Sequence, residues 1–117
     1  MNKLFNILEG ALNIRSSYHR IIAGNIANAD TPHYKERDID FQSELNKRVN
    51  SLTPAKEIID IKEKIYSEDI SSNNGNTVTV ESQMVKMTEN DIMYKTLVGI
   101  VSKKIAMMKY MISEGKR

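Results

Sequence analysis

The sequence predicts a mainly α-helical chain in which a long helix at each end forms an α-helical coiled coil or bundle, with a weakly structured, partly extended middle segment between them. Near both ends, apolar residues recur at alternating spacings of three and four, which is the heptad period of helices that pack side by side. The 117 residues contain only five Gly and two Pro, too few for the many tight turns of a sandwich or barrel. We expect one domain overall.

The first apolar stripe predicts a helix within residues 1–30. Its members step by three and four and are Leu4, Ile7, Ala11, Ile14, Tyr18 and Ile21. A second row beside them contains Phe5, Leu8, Leu12, Ile22 and Ile26. The apolar face is therefore wider than a two-stranded seam requires, and the helix needs more than one neighbour. The same series continues onto two polar residues, Asn25 and Asn28.

The last segment, residues 77–117, repeats the pattern. Its apolar residues are Val80, Met84, Met87, Tyr94, Val98, Val101, Ile105, Met108 and Ile112. Asp91 is the one exception in the series, and we expect it to set register or to hydrogen-bond another subunit. Thr79 suits the N-cap and Gly115 the position after the last turn. A helix of this length would measure on the order of 50 Å.

Between the helices, residues 31–76 form the joint and a variable middle segment. Phe41, Leu45 and Val49 fit one side of a short helix that starts after Asp40 and ends at Thr53-Pro54, with Glu44 and Arg48 paired one turn apart. The stretch 55–70 fits neither the helix nor the strand period, so we expect it to be extended or marginal. The polar run 71–76 predicts a loop.

Composition excludes several classes of protein. The net charge is +2, from 17 basic and 15 acidic residues, and no basic stripe indicates nucleic acid. The absence of Cys excludes disulfide frameworks and thiolate metal sites. The N-terminus lacks a cleaved signal pattern, and no stretch approaches the roughly 18 apolar residues of a membrane span.

Candidate chemistry is sparse. His19 and His33 lie fourteen residues apart without a zinc-binding pattern, so we expect surface or packing roles. Asp91 has no accompanying base, nucleophile or phosphate loop. The methionines are typical of adaptable packing against non-identical neighbours. We expect no enzyme activity, no cofactor and no metal.

The stretch Asn25-Ile-Ala-Asn-Ala-Asp-Thr-Pro-His-Tyr34 resembles the signature Asn-x-Ala-Asn-x-x-Thr-Pro-Gly-Tyr of flagellar rod, hook and hook-associated proteins. Residues 35–41 and 81–108 are similar to the narrower family of proximal rod proteins of the flagellar basal body, the FlgB family. The resemblance covers the first forty-odd and the last forty residues. His33 replaces the family glycine. A type II turn would need positive φ there, whereas a type I turn would suit His33 without strain.

The resemblance marks an assembly motif whose residues are Asn25, Ala27, Asn28, Thr31, Pro32 and Tyr34. In physical terms, asparagines on a helix seam fix register, and Asn and Asp side chains cap backbone groups at a helix end. Pro32 would set the direction in which the chain leaves. An ordinary helix end followed by a turn predicts the same local structure.

The resemblance implies a structural subunit of the proximal rod that assembles helically through its terminal helices. The implied partners are copies of itself, other rod proteins, the adaptor that joins the rod to the membrane ring, and the flagellar type III export apparatus. The implied location is the envelope-spanning basal body, reached without a cleaved signal. The alternative is a soluble coiled-coil adaptor or secretion chaperone. A chaperone should be acidic and form a closed dimer, whereas this chain is mildly basic and has wider apolar faces.

Overall fold

The computed structural model describes residues 2–50, 61–63 and 76–115, and two long helices dominate it. Helix α1 spans Asn2–Ala27 and helix α3 spans Val80–Gly115, with 26 and 36 residues. Between them lie strand β1 (Arg37–Asp38), helix α2 (Phe41–Asn50) and strand β2 (Lys62–Glu63). The molecule measures 70 × 27 × 18 Å. The predicted fold class, mainly helical with long terminal helices packed together, is confirmed.

Helices α1 and α3 pack antiparallel to each other. Asn25 near the end of α1 bonds to Gln83 near the start of α3, and Arg15 bonds to Asn90. The buried apolar residues of α1 are Ala11, Ile14 and Ile22. Counting equal rise along both helices from the Arg15–Asn90 contact places the start of α1 level with Lys103. About the last twelve residues of α3, roughly 18 Å, therefore extend past α1.

Helix α2 begins where the sequence predicts, because Asp40 caps it. The Asp40 backbone carbonyl accepts the Glu44 N–H at 3.0 Å, and its carboxylate accepts the Ser43 N–H at 3.2 Å. The predicted ion pair between Glu44 and Arg48 is wrong, since Glu44 pairs with Lys47 at 3.2 Å. The aliphatic stem of Arg48 instead lies over α1, where a Cβ on Gly10 would approach it to 3.2 Å.

The two short strands form an antiparallel pair, with Arg37 opposite Glu63 and Asp38 opposite Lys62. Residues 61–63, which include strand β2, are the described part of the stretch 55–70, which was expected to be extended or marginal. Its remainder, the predicted helix end at Thr53-Pro54 and the loop residues 71–75 lie outside the described residues.

The predicted apolar stripe of α3 divides into two sets. Met87, Val101 and Met108 are partly buried on the face toward α1, and Tyr94 lies at its edge. Met84, Val98, Ile105 and Ile112 are exposed on one flank of that face. A single helix such as α1 covers only one side of its neighbour, so half of the heptad series stays uncovered within the subunit.

The predicted position of Asp91 on the seam with α1 is wrong. Its side chain is 53% exposed and pairs with Lys95 at 2.9 Å, one turn further along α3. The neighbouring Asn90 is buried and takes the polar position on the seam. The seam toward α1 contains Gln83 in place of the predicted Met84 and Asn90 in place of the predicted Asp91. Each observed residue lies one position earlier than predicted, so Asp91 falls on the exposed flank.

Candidate assembly joint

Asn28 caps the C-terminal end of helix α1. Its backbone N–H and its Nδ2 both donate to the Gly24 carbonyl, at 3.1 and 2.8 Å. Its Oδ1 accepts the Thr31 hydroxyl at 3.1 Å. The Asn28 side chain thus bonds within the helix terminus and not across the seam. Of the two roles expected for the asparagines, register and capping, Asn28 has the capping role.

A tight turn over residues 31–34 follows the cap. The Tyr34 N–H donates to the Thr31 carbonyl at 3.3 Å, and His33 has φ 61°. This positive φ after Pro32 matches the type II alternative and excludes the type I alternative. A non-glycine residue in the left-handed region costs roughly 1–2 kcal/mol. The turn sends Tyr34 back toward α1, while Thr31 and Pro32 remain exposed.

Asn25 is the centre of the joint and is fully buried. Its Nδ2 donates to the Arg37 carbonyl at 2.8 Å and to Gln83 Oε1 at 3.0 Å. Its Oδ1 accepts the Arg37 N–H at 3.0 Å and the Tyr34 hydroxyl at 3.3 Å. All four hydrogen-bonding positions of the amide are therefore used. Asn25 joins α1, the outgoing strand β1 and α3 through one side chain.

The segment that leads into α3 closes the same joint from the other side. Asn76 Nδ2 donates to the carbonyls of Asn28 and Thr31, at 2.9 and 2.7 Å. The Thr77 N–H donates to the Tyr34 carbonyl at 3.1 Å, and its hydroxyl accepts the Glu36 N–H at 2.8 Å. Carbonyls left without helical partners beyond α1 are thus satisfied by the start of the last segment.

A buried carboxylate completes the network. Glu36 is 3% exposed, and its Oε1 accepts Gln83 Nε2 at 2.5 Å and Lys86 Nζ at 2.6 Å. Burying a carboxylate is tolerable only when it is paired and hydrogen-bonded, as it is here. The chain of contacts from Asn25 through Gln83 to Glu36 and Lys86 fixes the first turns of α3 against α1.

A second polar contact lies midway along the helices. Asn90 Nδ2 donates to the Arg15 carbonyl at 2.8 Å, and its Oδ1 accepts Arg15 Nη1 at 3.3 Å. The Arg15 guanidinium also stacks on the Phe41 ring at 3.8 Å from the centroid, which ties α2 to the same point. Burial lowers the pKa of Arg15, but an arginine stays charged at neutral pH. A cavity of about 230 Å³ borders Arg15, His19, Asn90 and Tyr94.

The structure therefore brings four of the six predicted motif residues together, Asn25, Asn28, Thr31 and Tyr34, whereas Ala27 and Pro32 are exposed. Sequence reasoning did not single out Glu36, Asn76, Thr77, Gln83 or Asn90 as partners. Gln83 and Asn90 could have been found from their spacing of seven, which places both on one face of α3. The other three lie in irregular segments, where no period indicates a partner.

Nothing in the described part of the chain resembles a metal or membrane site. His19 and His33 are both exposed. No group of three or more His, Asp or Glu side chains among residues 2–50, 61–63 and 76–115 is placed to hold a metal ion. None of the described helices is long and apolar enough to cross a bilayer.

The fold and the joint together define a class of protein, a helical assembly subunit with a polar joint at one end and uncovered apolar rows along its longest helix. Flagellar basal body rod protein FlgB of Yersinia ruckeri is 34% identical to this chain, with 92% of the chain and 91% of that protein covered. The FlgB proteins of Bacillus subtilis (strain 168) and Escherichia coli (strain K12) are each 32% identical, over 93% and 92% of the chain and 92% and 91% of their own lengths. No family model matches the chain.

The chain belongs to the FlgB family of flagellar basal body rod proteins. It is a structural subunit of the proximal rod and not an enzyme.

Proposed function

We propose that this subunit assembles helically through its two terminal helices, with copies of itself and with other rod proteins. The observation that carries the proposal is the uncovered apolar surface of α3. Its exposed large apolar residues are Val80, Met84, Val85, Ile92, Met93, Tyr94, Val98, Ile100, Ile105, Met107, Tyr110, Met111 and Ile112. Apolar surface that continues along a whole helix marks an interface.

The joint supports this proposal by holding α1 and α3 as one unit. Asn25 and Gln83 bond directly, and Glu36 links Gln83 to Lys86. With the helices fixed at this end, each subunit presents the same apolar surface to its neighbours. In this proposal, residues 1–30 and 77–117 form the axial part, and residues 31–76 form the joint and an outer segment. The motif residues then act in assembly by shaping the subunit.

The finer partners belong to the same proposal. They are the adaptor that joins the rod to the membrane ring and the flagellar type III export apparatus, through which the subunit would leave the cytoplasm without a cleaved signal. Membership of the FlgB family supports both.

The test is complementation of cells that lack their own copy of the protein. Val98→Asp combined with Ile105→Asp should abolish rod formation and swimming while leaving the subunit present at its usual level, because carboxylates would be buried without partners in the assembled rod. Ala106→Asp is the control, since Ala106 is an exposed residue of the same helix on the side away from α1. Normal swimming by the double variant would contradict the proposal.

A further inference from the structure

We propose that neighbouring copies of this chain meet through two different apolar rows on α3, so that row A of one copy packs against row B of the next. The inference rests on the proposed function and specifies its contact. Row A consists of residues spaced by seven, Met84, Asp91, Val98, Ile105 and Ile112. Row B has the same spacing and consists of Met93, Ile100 and Met107.

Both rows are uncovered in the subunit. The apolar members of row A are between 41% and 59% exposed, and those of row B between 41% and 58%. Each residue of row B follows one of row A by two positions, a rotation of about 200° around the helix. The rows therefore lie on opposite flanks of α3, with the face that packs against α1 between them.

The two rows continue the interface that the subunit already contains. Met87, Tyr94, Val101 and Met108 lie on the α1-facing side and repeat with the same period of seven. A helix whose apolar rows share one period can keep each row in contact with a neighbouring helix along its length. Helix α1 occupies the central face, which leaves one position on each flank for a further helix.

Opposite flanks favour a repeating array over a closed pair. A two-fold dimer that joins row A to row A would leave row B exposed in both copies. Contact between row A and row B uses both flanks of every copy and repeats from one copy to the next, which produces a ring or a helical tube. The second copy therefore binds with its α3 parallel to the first.

Charge supports the same pairing. In a parallel contact between two copies of row A, the Asp91 carboxylates would face each other, and like charges at close range repel. Row B has no carboxylate among Met93, Ile100 and Met107. Contact between row A and row B therefore keeps the Asp91 carboxylates of neighbouring copies apart.

The first test introduces complementary charges into the two rows, in cells without their own copy. Val98→Glu with Ile105→Glu alters row A, and Ile100→Lys with Met107→Lys alters row B. Each pair alone should abolish swimming. Cells whose only copy carries all four substitutions should swim again, because each contact between row A of one copy and row B of the next then joins glutamate to lysine. Coexpression of the two altered chains should also restore swimming, through alternating copies.

A matched control places the lysines elsewhere. Ile92→Lys with Tyr110→Lys lies on the outward side of α3, in neither row, so combining it with the row A glutamates should not restore swimming. Failure of the four-substitution chain to swim would overturn the pairing of the two rows. Normal swimming by the row B variant, while the row A variant fails to swim, would overturn the pairing and leave the proposed function standing. Normal swimming by the row A variant would overturn both.

A second test needs no disruptive charge. The chain contains no cysteine, so Ile105→Cys and Met107→Cys introduce the only thiols, one in each row. A short bifunctional thiol reagent applied to isolated basal bodies should join copies into a ladder only when both substitutions are present in one chain. Dimers formed by Ile105→Cys alone would show row A against row A and would overturn the inference.

Discussion

Asn25 shows why the sequence motif contains an asparagine at this position. Seam asparagines usually set register by pairing across helices, and this was one of the roles expected for it. In the structure, one of its four hydrogen bonds crosses to Gln83, two go to the backbone of Arg37 and one comes from Tyr34. Its position on the seam was predictable from the spacing of residues. Its backbone partners were not, because they depend on the path of the chain after the turn.

Replacing Asn25 by Leu should lower the free energy of unfolding by about 3 kcal/mol or more. The substitution leaves the Arg37 N–H and carbonyl without their partner, and each buried unsatisfied group costs roughly 1–3 kcal/mol. Urea denaturation of the purified chain measures the change. Asn13→Leu is the matched control, because Asn13 is exposed on the same helix and should change stability by less than about 0.5 kcal/mol. Equal stability of the two variants would contradict the role assigned to Asn25.

His33→Gly should raise the free energy of unfolding by about 0.5–1 kcal/mol. Glycine adopts the positive φ of this position without the steric cost that a side chain incurs, although it gains more freedom in the unfolded chain. His19→Gly provides the contrast, since a glycine inside α1 should lower stability by about 1 kcal/mol. The same urea titration measures this change in the free energy of unfolding. A lower stability of His33→Gly would show that the histidine side chain stabilises the fold by more than its positive φ destabilises it.

At the scale of elements, prediction succeeded where a local signal exists. Asp40 is an N-cap residue, and α2 starts directly after it. The side of α3 that faces α1 was predicted less well. The apolar pattern of α3 is wider than the face that one helix covers, and only the position of α1 determines which residues are buried. Asn90 and Asp91 illustrate this. They are adjacent polar residues of similar size, yet the first is buried against Arg15 and the second is exposed.

Asp40→Ala should weaken α2 without disturbing the long helices. Loss of an N-cap side chain costs about 1 kcal/mol, which corresponds to roughly fivefold faster amide exchange in a helix that opens locally. Hydrogen exchange over residues 41–50, compared with residues 11–22 of α1, measures the effect. Unchanged exchange in α2 would show that its contact with α1, rather than the Asp40 cap, determines its stability.

At the scale of the whole molecule, the subunit has a rigidly bonded end and an uncovered end. The joint binds both helices through buried polar groups, whereas α3 extends about 18 Å past α1 with most of its large apolar residues exposed. The wide apolar faces were predictable from residue spacing, and so was the need for further neighbours. Which part of α3 packs against α1 and which part extends past it was not predictable. This depends on the different lengths of the two helices and on the contacts that fix their offset.

The flanks of α3 are exposed in the free subunit and, in the proposed assembly, covered in the rod, a difference that thiol labelling measures. Ile105→Cys and Met107→Cys should react rapidly in the purified chain and slowly in isolated basal bodies. Asn13→Cys supplies a comparison site, which is exposed on α1 and belongs to neither row. We expect strong protection of positions 105 and 107 upon assembly. Equal labelling rates at both positions in the free chain and in the assembled rod would contradict it.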